Sequence, residues 1–287
     1  MRPVYLFNPS YDERNINFQN LGLVSIASHL KRKGIPAYVY MNYLDERVTK
    51  EKDYDLVLED VIKQNPKYIG ISCMTTQYLK ALDLTRRIKE MSPETKVVWG
   101  GHHVKAYWGD LLSNRKIDFL AHSWGEAVAE YYYSGNLYPA ESWWDYPLDF
   151  STVINYQPVE RLMRGRMVKQ ASIMTSYGCP FSCRFCINAI QEKQVIYRDL
   201  NAVAHEIKQV GRMGANSIAF YDELFFIKNR VTELFEMLGI TFPWLALARI
   251  NSPLKDLAYY RAKGCEEIHF GVESGSQRMI DECINLL

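Results

Sequence analysis

Three of the six cysteines lie within eight residues of one another. The segment SYGCPFSCRFCINA, residues 176–189, places Cys179, Cys183 and Cys186 in a CxxxCxxC pattern directly after a predicted strand. Three thiolates on one tight loop can bind three irons of a 4Fe-4S cluster, whereas a closed cluster takes a fourth protein ligand. The remaining iron then keeps an open position that can bind a substrate or a cofactor. The sequence therefore predicts an iron-sulfur site in this loop.

A structural zinc site and three unconnected thiols are the alternatives for this loop. The other cysteines are scattered along the chain, at Cys73, Cys265 and Cys283. The six therefore do not form a disulfide framework, and clustered thiols in a reducing compartment favour metal binding. Zinc normally takes four ligands at paired spacings. Cys183, Cys186 and His205 could supply part of such a site, but His205 falls in a predicted helix that carries no companion ligand.

Length and composition describe a globular chain. Its 287 residues are enough for one large domain or two ordinary ones. Charged residues at 23% and apolar residues at 48% exclude disordered, collagenous and coiled-coil chains. A formal charge of +1 gives no general attraction to nucleic acid or anionic lipid. Because no apolar stretch approaches the roughly 20 residues of a membrane span and no signal peptide is visible, we expect a cytoplasmic protein without nucleic-acid or membrane partners.

Residues 1–135 predict an α/β, doubly wound (Rossmann-like) parallel-sheet domain. Short apolar runs alternate with amphipathic stretches, and strands buried on both faces are typical of parallel sheets. The predicted strands are 4–7, 37–40, 68–72, 96–99 and 118–121. The predicted helices are 21–32, 54–64, 77–91, 107–112 and 125–133. Ligands of such domains bind beyond the carboxyl ends of the strands, which makes the loops there the candidate binding positions.

A second alternation over residues 169–287 predicts a partial (β/α) barrel of four βα units. Its predicted strands are 170–175, 217–221, 244–250 and 267–272, and its helices are 202–213, 230–238, 254–263 and 277–285. Residues 136–168 are predicted to form an aromatic-rich linker. Between residues 107 and 150, 12 of 44 residues are aromatic, against 13% in the whole chain. These aromatic residues predict either an interdomain packing layer or a surface on which a ligand stacks.

The CxxxCxxC loop resembles the signature of the radical S-adenosylmethionine superfamily, which lies on the first loop of a barrel. The aromatic residue before the last cysteine, Phe185, and the string GVESGS at 271–276 add to the resemblance. It implies that S-adenosyl-L-methionine binds the open iron through its amino and carboxylate groups. Phe185 would pack on its adenine or, alternatively, on the barrel wall. The resemblance also implies reductive cleavage of this cofactor to methionine and a 5′-deoxyadenosyl radical that abstracts hydrogen.

The same resemblance assigns residues at the ends of the later barrel strands to the S-adenosylmethionine site. Asp222 and Glu223 would accept hydrogen bonds from the ammonium group, and Arg249 would bind a carboxylate. Glu273 and Ser274 would accept from the ribose hydroxyls. Each assignment has a structural alternative, which is helix capping for the acidic and serine residues and a surface ion pair for the arginine. The catalytic residues stay unknown.

The first 135 residues resemble the cobalamin-binding domain that precedes the radical domain in one class of this superfamily. The strings that carry this resemblance are LGLVSIASHLKRKG, GISCMTTQ, VVWGGHH and WGEAV. The candidate cobalamin-binding residues are Ser72, Thr75, Thr76, Gly100, Gly101, His102, Gly125 and Glu126. Turns, packing and helix capping in any doubly wound domain are the alternative explanation. The segment NPSYDERN after the first strand has no histidine, which implies base-off cobalamin without a ligand from this loop.

The class implies a cobalamin-dependent radical S-adenosylmethionine enzyme that transfers a methyl group to an unactivated carbon. Its substrate would be a small molecule or a peptide, and its electron donor a flavodoxin or ferredoxin. A radical enzyme without cobalamin is one alternative, and a truncated, non-catalytic subunit that needs a partner chain is another. Six βα units of about 30 residues need about 180 residues, whereas residues 170–287 number 118. We therefore expect the chain to end after the fourth barrel strand.

Overall fold

The computed structural model describes two compact units. The described residues are 1–9, 20–41, 54–135, 143–190, 193–227, 230–238, 242–252, 254 and 257–283. The amino-terminal unit comprises Met1–Trp143 and Leu148–Tyr156, and the carboxyl-terminal unit comprises Trp144–Pro147 and Gln157–Leu287. Among the described helices, none combines the length and the apolar character needed to cross a membrane.

The amino-terminal unit is built on a parallel five-stranded sheet. Its strands are β1 (Val4–Asn8), β2 (Ala37–Met41), β3 (Tyr68–Ser72), β4 (Val97–Gly100) and β5 (Phe119–Leu120). Its helices are α1 (Leu21–Arg32), α2 (Tyr54–Lys63), α3 (Tyr78–Met91), α4 (His102–Leu111) and α5 (Gly125–Ser134). The strand order is β2-β1-β3-β4-β5, and all neighbours run parallel. The predicted doubly wound architecture is confirmed.

Apolar side chains on both faces of this sheet explain why it forms. Every residue of β1 is buried, as expected for a central parallel strand. One face packs against α2, α3 and α4, where Trp99 is fully buried and its Nε1 donates to Thr85 Oγ1 over 2.9 Å. Helix α1 contacts β1, β2 and α5. Strand β2, which follows β1 in the chain, lies on one side of β1, and β3 lies on the other side. The strand order therefore reverses between β1 and β3.

The carboxyl-terminal unit is built on a second five-stranded sheet. Its strands are β6 (Val159–Met163), β7 (Arg166–Ile173), β10 (Ser217–Phe220), β11 (Trp244–Arg249) and β12 (Cys265–Gly271). A separate hairpin joins β8 (Ser176–Tyr177) and β9 (Ile196–Tyr197). The helices are α6 (Leu200–Arg212), α7 (Arg230–Leu238), α8 (Leu257–Ala262) and α9 (Gln277–Cys283). The sheet order is β12-β11-β10-β7-β6, in which β6 alone pairs antiparallel to its neighbour among these described strands.

Ion pairs that join β12 to β6 and to β7 show that this sheet is curled. Arg161 on β6 binds Glu267 on β12 with an Nη2 to Oε2 distance of 2.7 Å. Arg166, at the start of β7, binds Glu266 on β12 over 2.9 Å. A flat sheet would hold its two edges four strand spacings apart, roughly 19 Å, so these contacts require strong curvature. The predicted partial barrel is confirmed.

Several predicted elements differ from the structure. The helix predicted at 107–112 begins at His102, because Gly101 at φ +94° ends β4 immediately before it. The strand predicted at 170–175 occupies Arg166–Ile173. Strand β6 lies inside the range predicted as a linker and was not predicted from the sequence. Its signal is the dipeptide Arg164-Gly165, which takes φ values of +46° and +79° and forms a tight hairpin turn between Met163 and Arg166.

Candidate functional site

The loop that carries Cys179, Cys183 and Cys186 (the cysteine loop) follows β7, and the β8–β9 hairpin holds its base. Ser176 pairs with Tyr197, and Tyr177 pairs with Ile196. Gly178 then takes a φ of +85°, and a side chain there would collide with the backbone oxygen of Gln194. This position therefore requires glycine. The hairpin and the glycine deliver Cys179 at the carboxyl end of the barrel sheet, as predicted.

The three cysteines of the loop are partly exposed. The Cys186 backbone N–H donates to the Cys183 carbonyl over 2.9 Å and closes a turn between these two thiols. In the described part of the chain, no three His, Cys, Asp or Glu side chains converge on a point where they could share one metal ion. A zinc site requires such convergence, whereas the thiolates of an iron-sulfur cluster each bind a different iron. Both the iron-sulfur interpretation and the zinc alternative stay predictions.

The structure brings Glu223 and Arg249 close to the cysteine loop. Burial is the main cause that raises the pKa of the Cys179 thiol; the charge of Arg249 opposes this shift, and the charges of Glu223 and Cys186 add to it. The guanidinium of Arg249 lies 3.8 Å from the centre of the Phe181 ring, within the same loop. Residues that follow or end β10 and β11 thus face the thiols, as the parallel strand order requires.

Glu223 presents a carboxylate oxygen that is not satisfied by the protein. Its carboxylate accepts hydrogen bonds from its own backbone N–H and from the N–H of Gly178. The second oxygen, Oε2, is buried and has no hydrogen-bond partner among the described residues. Burial and the neighbouring charge of Asp222 raise the pKa of this carboxyl. A buried carboxylate with an unused oxygen is well suited to accept a hydrogen bond from a cationic ligand.

Asp222 has a different environment from Glu223. Its carboxylate is fully buried and accepts from Thr175 N, from Thr175 Oγ1 over 2.6 Å and from Ser176 Oγ over 2.7 Å. Burial raises the pKa of Asp222, and these hydrogen bonds act in the opposite direction. Its described hydrogen bonds are thus made to the strand that leads into the cysteine loop. The predicted contact between Asp222 and the cofactor stays a prediction.

The remaining predicted S-adenosylmethionine contacts lie at accessible positions. Phe185 is 59% exposed, so its ring face is available to a ligand. Glu273 takes a φ of +64° just after β12 and is exposed. The Ser274 hydroxyl accepts from Ser276 N over 3.1 Å, which is a turn contact in the segment before α9. No contact in the structure tests the ligand roles of these three residues.

The carboxyl edge of the amino-terminal sheet carries a small polar network at the reversal of strand order. Ser72 Oγ, at the end of β3, accepts from Asn20 Nδ2 over 3.1 Å. Asn8 Oδ1, at the end of β1, accepts from Gln77 Nε2 over 3.1 Å. Open α/β sheets bind ligands at this reversal. The sequence places Asn8, Ser72 and Gln77 in the segments 8–11 and 72–77 that are expected at this ligand edge, and it names Ser72 as a candidate contact. It does not point to Asn20.

Gly100, Gly101 and His102 connect β4 to α4 at the same edge. A Cβ atom on Gly101 would lie 2.7 Å from the Cys73 carbonyl oxygen, so only glycine allows this close approach. His102 Nδ1 is buried without a hydrogen-bond partner among the described residues. Burial, with a smaller effect from Lys105, lowers the pKa of His102. The structure thus offers a neutral imidazole nitrogen that a ligand could engage.

Of the other predicted cobalamin-binding residues, two are exposed and two pack against α1. Thr75 and Thr76 form an exposed turn before α3, and Thr75 Oγ1 lies 3.2 Å from His103 Nδ1. Gly125 allows close packing of α5 on α1, because a Cβ there would lie 2.5 Å from Ile26 Cδ1. Glu126 is buried beside α1, hydrogen-bonds Ser25, and has its pKa raised by burial. The structure gives Gly125 and Glu126 packing roles, and their ligand roles stay predictions.

Gly101→Ala should destabilise the chain more than Gly135→Ala. Both glycines have positive φ, +94° and +76°, but only Gly101 has backbone atoms within 4 Å of the added Cβ. The strained conformation costs about 1–3 kcal/mol at each position, and the collision with Cys73 adds to it at Gly101 alone. Urea unfolding of both variants measures the difference. Equal losses would show that the approach to Cys73 relaxes without cost.

Comparisons with known proteins agree with this geometry. Residues 13–131 match the B12 binding domain family. Over 116 residues the chain is 30% identical to the uncharacterized methyltransferase PH0819 of Pyrococcus horikoshii, a match that covers 38% of this chain and 25% of that protein. The amino-terminal unit is therefore similar to B12 binding domains over residues 13–131.

Two solved structures share the fold of nearly the whole chain. The radical S-adenosylmethionine methyltransferase TsrM from Kitasatospora setae, with tryptophan substrate and aza-SAM bound, gives a TM-score of 0.72 at 16% identity and covers 98% of this chain and 61% of its own. The cobalamin-dependent S-adenosylmethionine radical enzyme OxsB, with aqua-cobalamin bound, gives 0.73 at 16% identity and covers 99% and 45%. The chain thus spans less than two thirds of the length of each of these relatives.

Together these findings define the class of fold. The chain shares the fold of these two solved structures over nearly its whole length, and its residues 13–131 are similar to the B12 binding domain family. The resemblance predicted from the CxxxCxxC loop and the amino-terminal strings is thereby confirmed.

Proposed function

We propose that this chain acts as a cobalamin-dependent radical S-adenosylmethionine enzyme and that its reaction is methyl transfer to an unactivated carbon. The names of TsrM and of PH0819, both methyltransferases, support the choice of reaction. The observation that carries the proposal is that Glu223, whose buried Oε2 has no hydrogen-bond partner among the described residues, lies near Cys179. Cys179 shares its loop with two further thiols, those of Cys183 and Cys186. A small molecule or peptide would be the substrate, and a flavodoxin or ferredoxin the electron donor.

The residues of the cysteine loop fit a 4Fe-4S cluster. Cys179, Cys183 and Cys186 would each bind one iron, and no fourth thiol adjoins them in the sequence. When bound, such a cluster supplies one electron for cleavage of S-adenosylmethionine at its open iron. Glu223 Oε2 would accept a hydrogen bond from the ammonium of S-adenosylmethionine and hold it in one orientation. Arg249, on the neighbouring strand β11, would bind a carboxylate group.

The carboxyl edge of the amino-terminal sheet fits a large polar ligand such as cobalamin. Ser72, Thr75, Thr76 and the Gly100–Gly101 backbone would offer hydrogen bonds along this edge, and His102 Nδ1 has an unused hydrogen-bonding position. When bound, cobalamin supplies a cobalt centre that carries the methyl group. The glycines allow the ligand to approach the backbone, and the protein orients it and excludes water.

Cofactor content of the whole chain tests this proposal. Protein reconstituted anaerobically with iron, sulfide and hydroxocobalamin should retain close to four irons per chain and a stoichiometric corrin after gel filtration. With dithionite as reductant it should form 5′-deoxyadenosine from S-adenosylmethionine. Retention of the cluster without any corrin would refute the cobalamin part of the proposal. Zinc without labile sulfide would refute the radical part.

Glu223→Gln should weaken the binding of S-adenosylmethionine by the reconstituted protein. A hydrogen bond between charged partners contributes about 1.5–3 kcal/mol, which corresponds to roughly a 10- to 150-fold higher Kd. Because burial already disfavours the charge of Glu223, the variant should fold at least as well as the parent. Equilibrium dialysis measures Kd, with Glu236→Gln on the exposed face of α7 as the matched control. An unchanged Kd would remove Glu223 from the binding site.

A further inference from the structure

Asp222 is a buried carboxylate just after β10 that binds the residues leading into the cysteine loop. It has zero exposure. Both of its oxygens lie 3.0 Å from Thr175 N, and Oδ1 also accepts from Thr175 Oγ1 over 2.6 Å and from Ser176 Oγ over 2.7 Å. Thr175 and Ser176 precede Cys179 by only four and three residues. Any movement at Asp222 is therefore passed to the first thiol over a very short stretch of chain.

The opposite side of this stretch is held by β9. The Arg198 backbone N–H donates to the Thr175 carbonyl over 2.9 Å, and Ser176 pairs with Tyr197. The backbone N–H and the hydroxyl of Thr175 thus donate to Asp222, and its carbonyl accepts from the Arg198 N–H. A chain segment that is hydrogen-bonded on both edges has little freedom to change direction. Asp222 and β9 together therefore define where the loop leaves the barrel.

Glu223, the residue after Asp222, binds the same segment of the chain. Both residues follow the end of β10 at Phe220: Asp222 accepts from Thr175 and Ser176, and Glu223 accepts from the N–H of Gly178. Gly178 is the residue immediately before Cys179 and approaches the Gln194 backbone too closely for any side chain. The two carboxylates therefore bind successive parts of a single four-residue segment, 175–178.

We propose that Asp222 is a positioning residue: it holds segment 175–178 so that Cys179 and Glu223 keep the mutual placement that cluster and S-adenosylmethionine binding require. This inference rests on the proposed function for its catalytic meaning. It assigns Asp222 a role through the loop, whereas the resemblance assigned it a direct contact with the cofactor. The Asp222→Asn variant keeps the shape of the side chain, but its amide N–H then faces the Thr175 N–H, which lies 3.0 Å from both carboxylate oxygens of the parent, so the segment should loosen.

The loosening can be measured without any cofactor. In the apo protein, Asp222→Asn should increase the rate at which iodoacetamide alkylates Cys179 by about tenfold, since local opening exposes the thiol. Cys265, on β12, serves as an internal reference in the same mass spectra. Leu234→Ala is the matched control, because it removes a buried side chain of α7 and leaves the hydrogen bonds of Asp222 to segment 175–178 in place. That variant should leave the ratio of Cys179 to Cys265 alkylation unchanged.

The reconstituted protein provides the second readout. Asp222→Asn should bind less than half as much iron as the parent, or give a cluster whose reduced EPR spectrum has shifted g values, whereas Leu234→Ala should give the parent spectrum. Parental alkylation and a parental spectrum in Asp222→Asn would overturn the inference. If Asp222→Asn does not fold, Thr175→Val removes only the hydroxyl donor and should show the same change in alkylation; parental alkylation of that variant would also overturn it.

The two proposals fail in different ways. A parent protein that binds no cluster contradicts the proposed function, and the alkylation ratios then still decide whether Asp222 positions the loop. A parent that binds a normal cluster, together with an unchanged Asp222→Asn variant, contradicts the positioning role alone.

Discussion

Simultaneous replacement of Cys179, Cys183 and Cys186 by Ala should reduce iron and acid-labile sulfide from close to four per chain to the background level. Each thiolate is expected to bind a separate iron, and a cluster left with solvent ligands only is not retained through gel filtration. The broad absorbance at roughly 400 nm that such clusters show should disappear with it. Because the three side chains are partly exposed and lie in a loop, their removal creates no buried cavity. The variant should therefore fold like the parent.

Two matched variants separate cluster ligation from loss of thiols in general. Cys73→Ala and Cys265→Ala each remove a buried thiol that lies outside the loop. Burial raises the pKa of Cys73 to about 12 and that of Cys265 to about 11, so neither is a ready thiolate. Both variants should keep the iron and sulfide of the parent. Loss of the cluster in either one, or its survival in the triple variant, would contradict the assignment of the ligands.

Elements with local signals are those that the sequence predicts best. Helix α1 is predicted at its observed bounds, Leu21–Arg32, because its ends carry their own markers. The Asn20 side chain accepts from Leu23 N at the start, and Gly34 takes a φ of +77° just after the end. The helix predicted at 107–112 lacks such markers: its true start depends on the approach of Gly101 to Cys73, which is a tertiary contact.

The candidate site can be predicted only in part from the sequence, because it too depends on tertiary contacts. The spacing of the cysteines is local, and the sequence predicts their loop correctly. Asp222 and Glu223 are adjacent and follow the end of β10, and the sequence does not say which of them faces the loop thiols. The answer depends on Thr175 and Ser176, which are 47 and 46 residues away in the chain. Contacts of this kind are set by the register of β7 and β10.

A buried ion pair below the loop is the feature that sequence reasoning missed most completely. Arg198 and Glu206 are both fully buried, and their side chains form a bidentate pair between the end of β9 and α6. Arg198 also donates to three carbonyls, those of Trp144, Tyr146 and Met174. All five guanidinium N–H groups are thereby used. Charged residues are rarely buried without such pairing, and nothing local distinguishes these two from surface charges.

Arg198→Met should therefore lower the free energy of unfolding by about 3–5 kcal/mol, because it leaves the Glu206 carboxylate buried without a partner. Glu206→Leu should cause a loss of similar size by leaving the guanidinium uncompensated. Loss of this pair also frees the Arg198 backbone, whose N–H holds Thr175, so the cysteine loop should become more accessible in both variants. Urea unfolding of the apo protein gives the free energies, and alkylation of Cys179 reports the loop.

The double variant Arg198→Met/Glu206→Leu separates the ion pair from the rest of the network. With both charges gone, no uncompensated ion is buried, and the loss should be well below the sum of the single losses, by at least about 2 kcal/mol. A residual loss should persist, since the three carbonyls that Arg198 satisfied stay without this donor. Additive losses would show that the two side chains act independently. In that case the carbonyl contacts of Arg198, and not its pairing with Glu206, would be what holds the base of the cysteine loop.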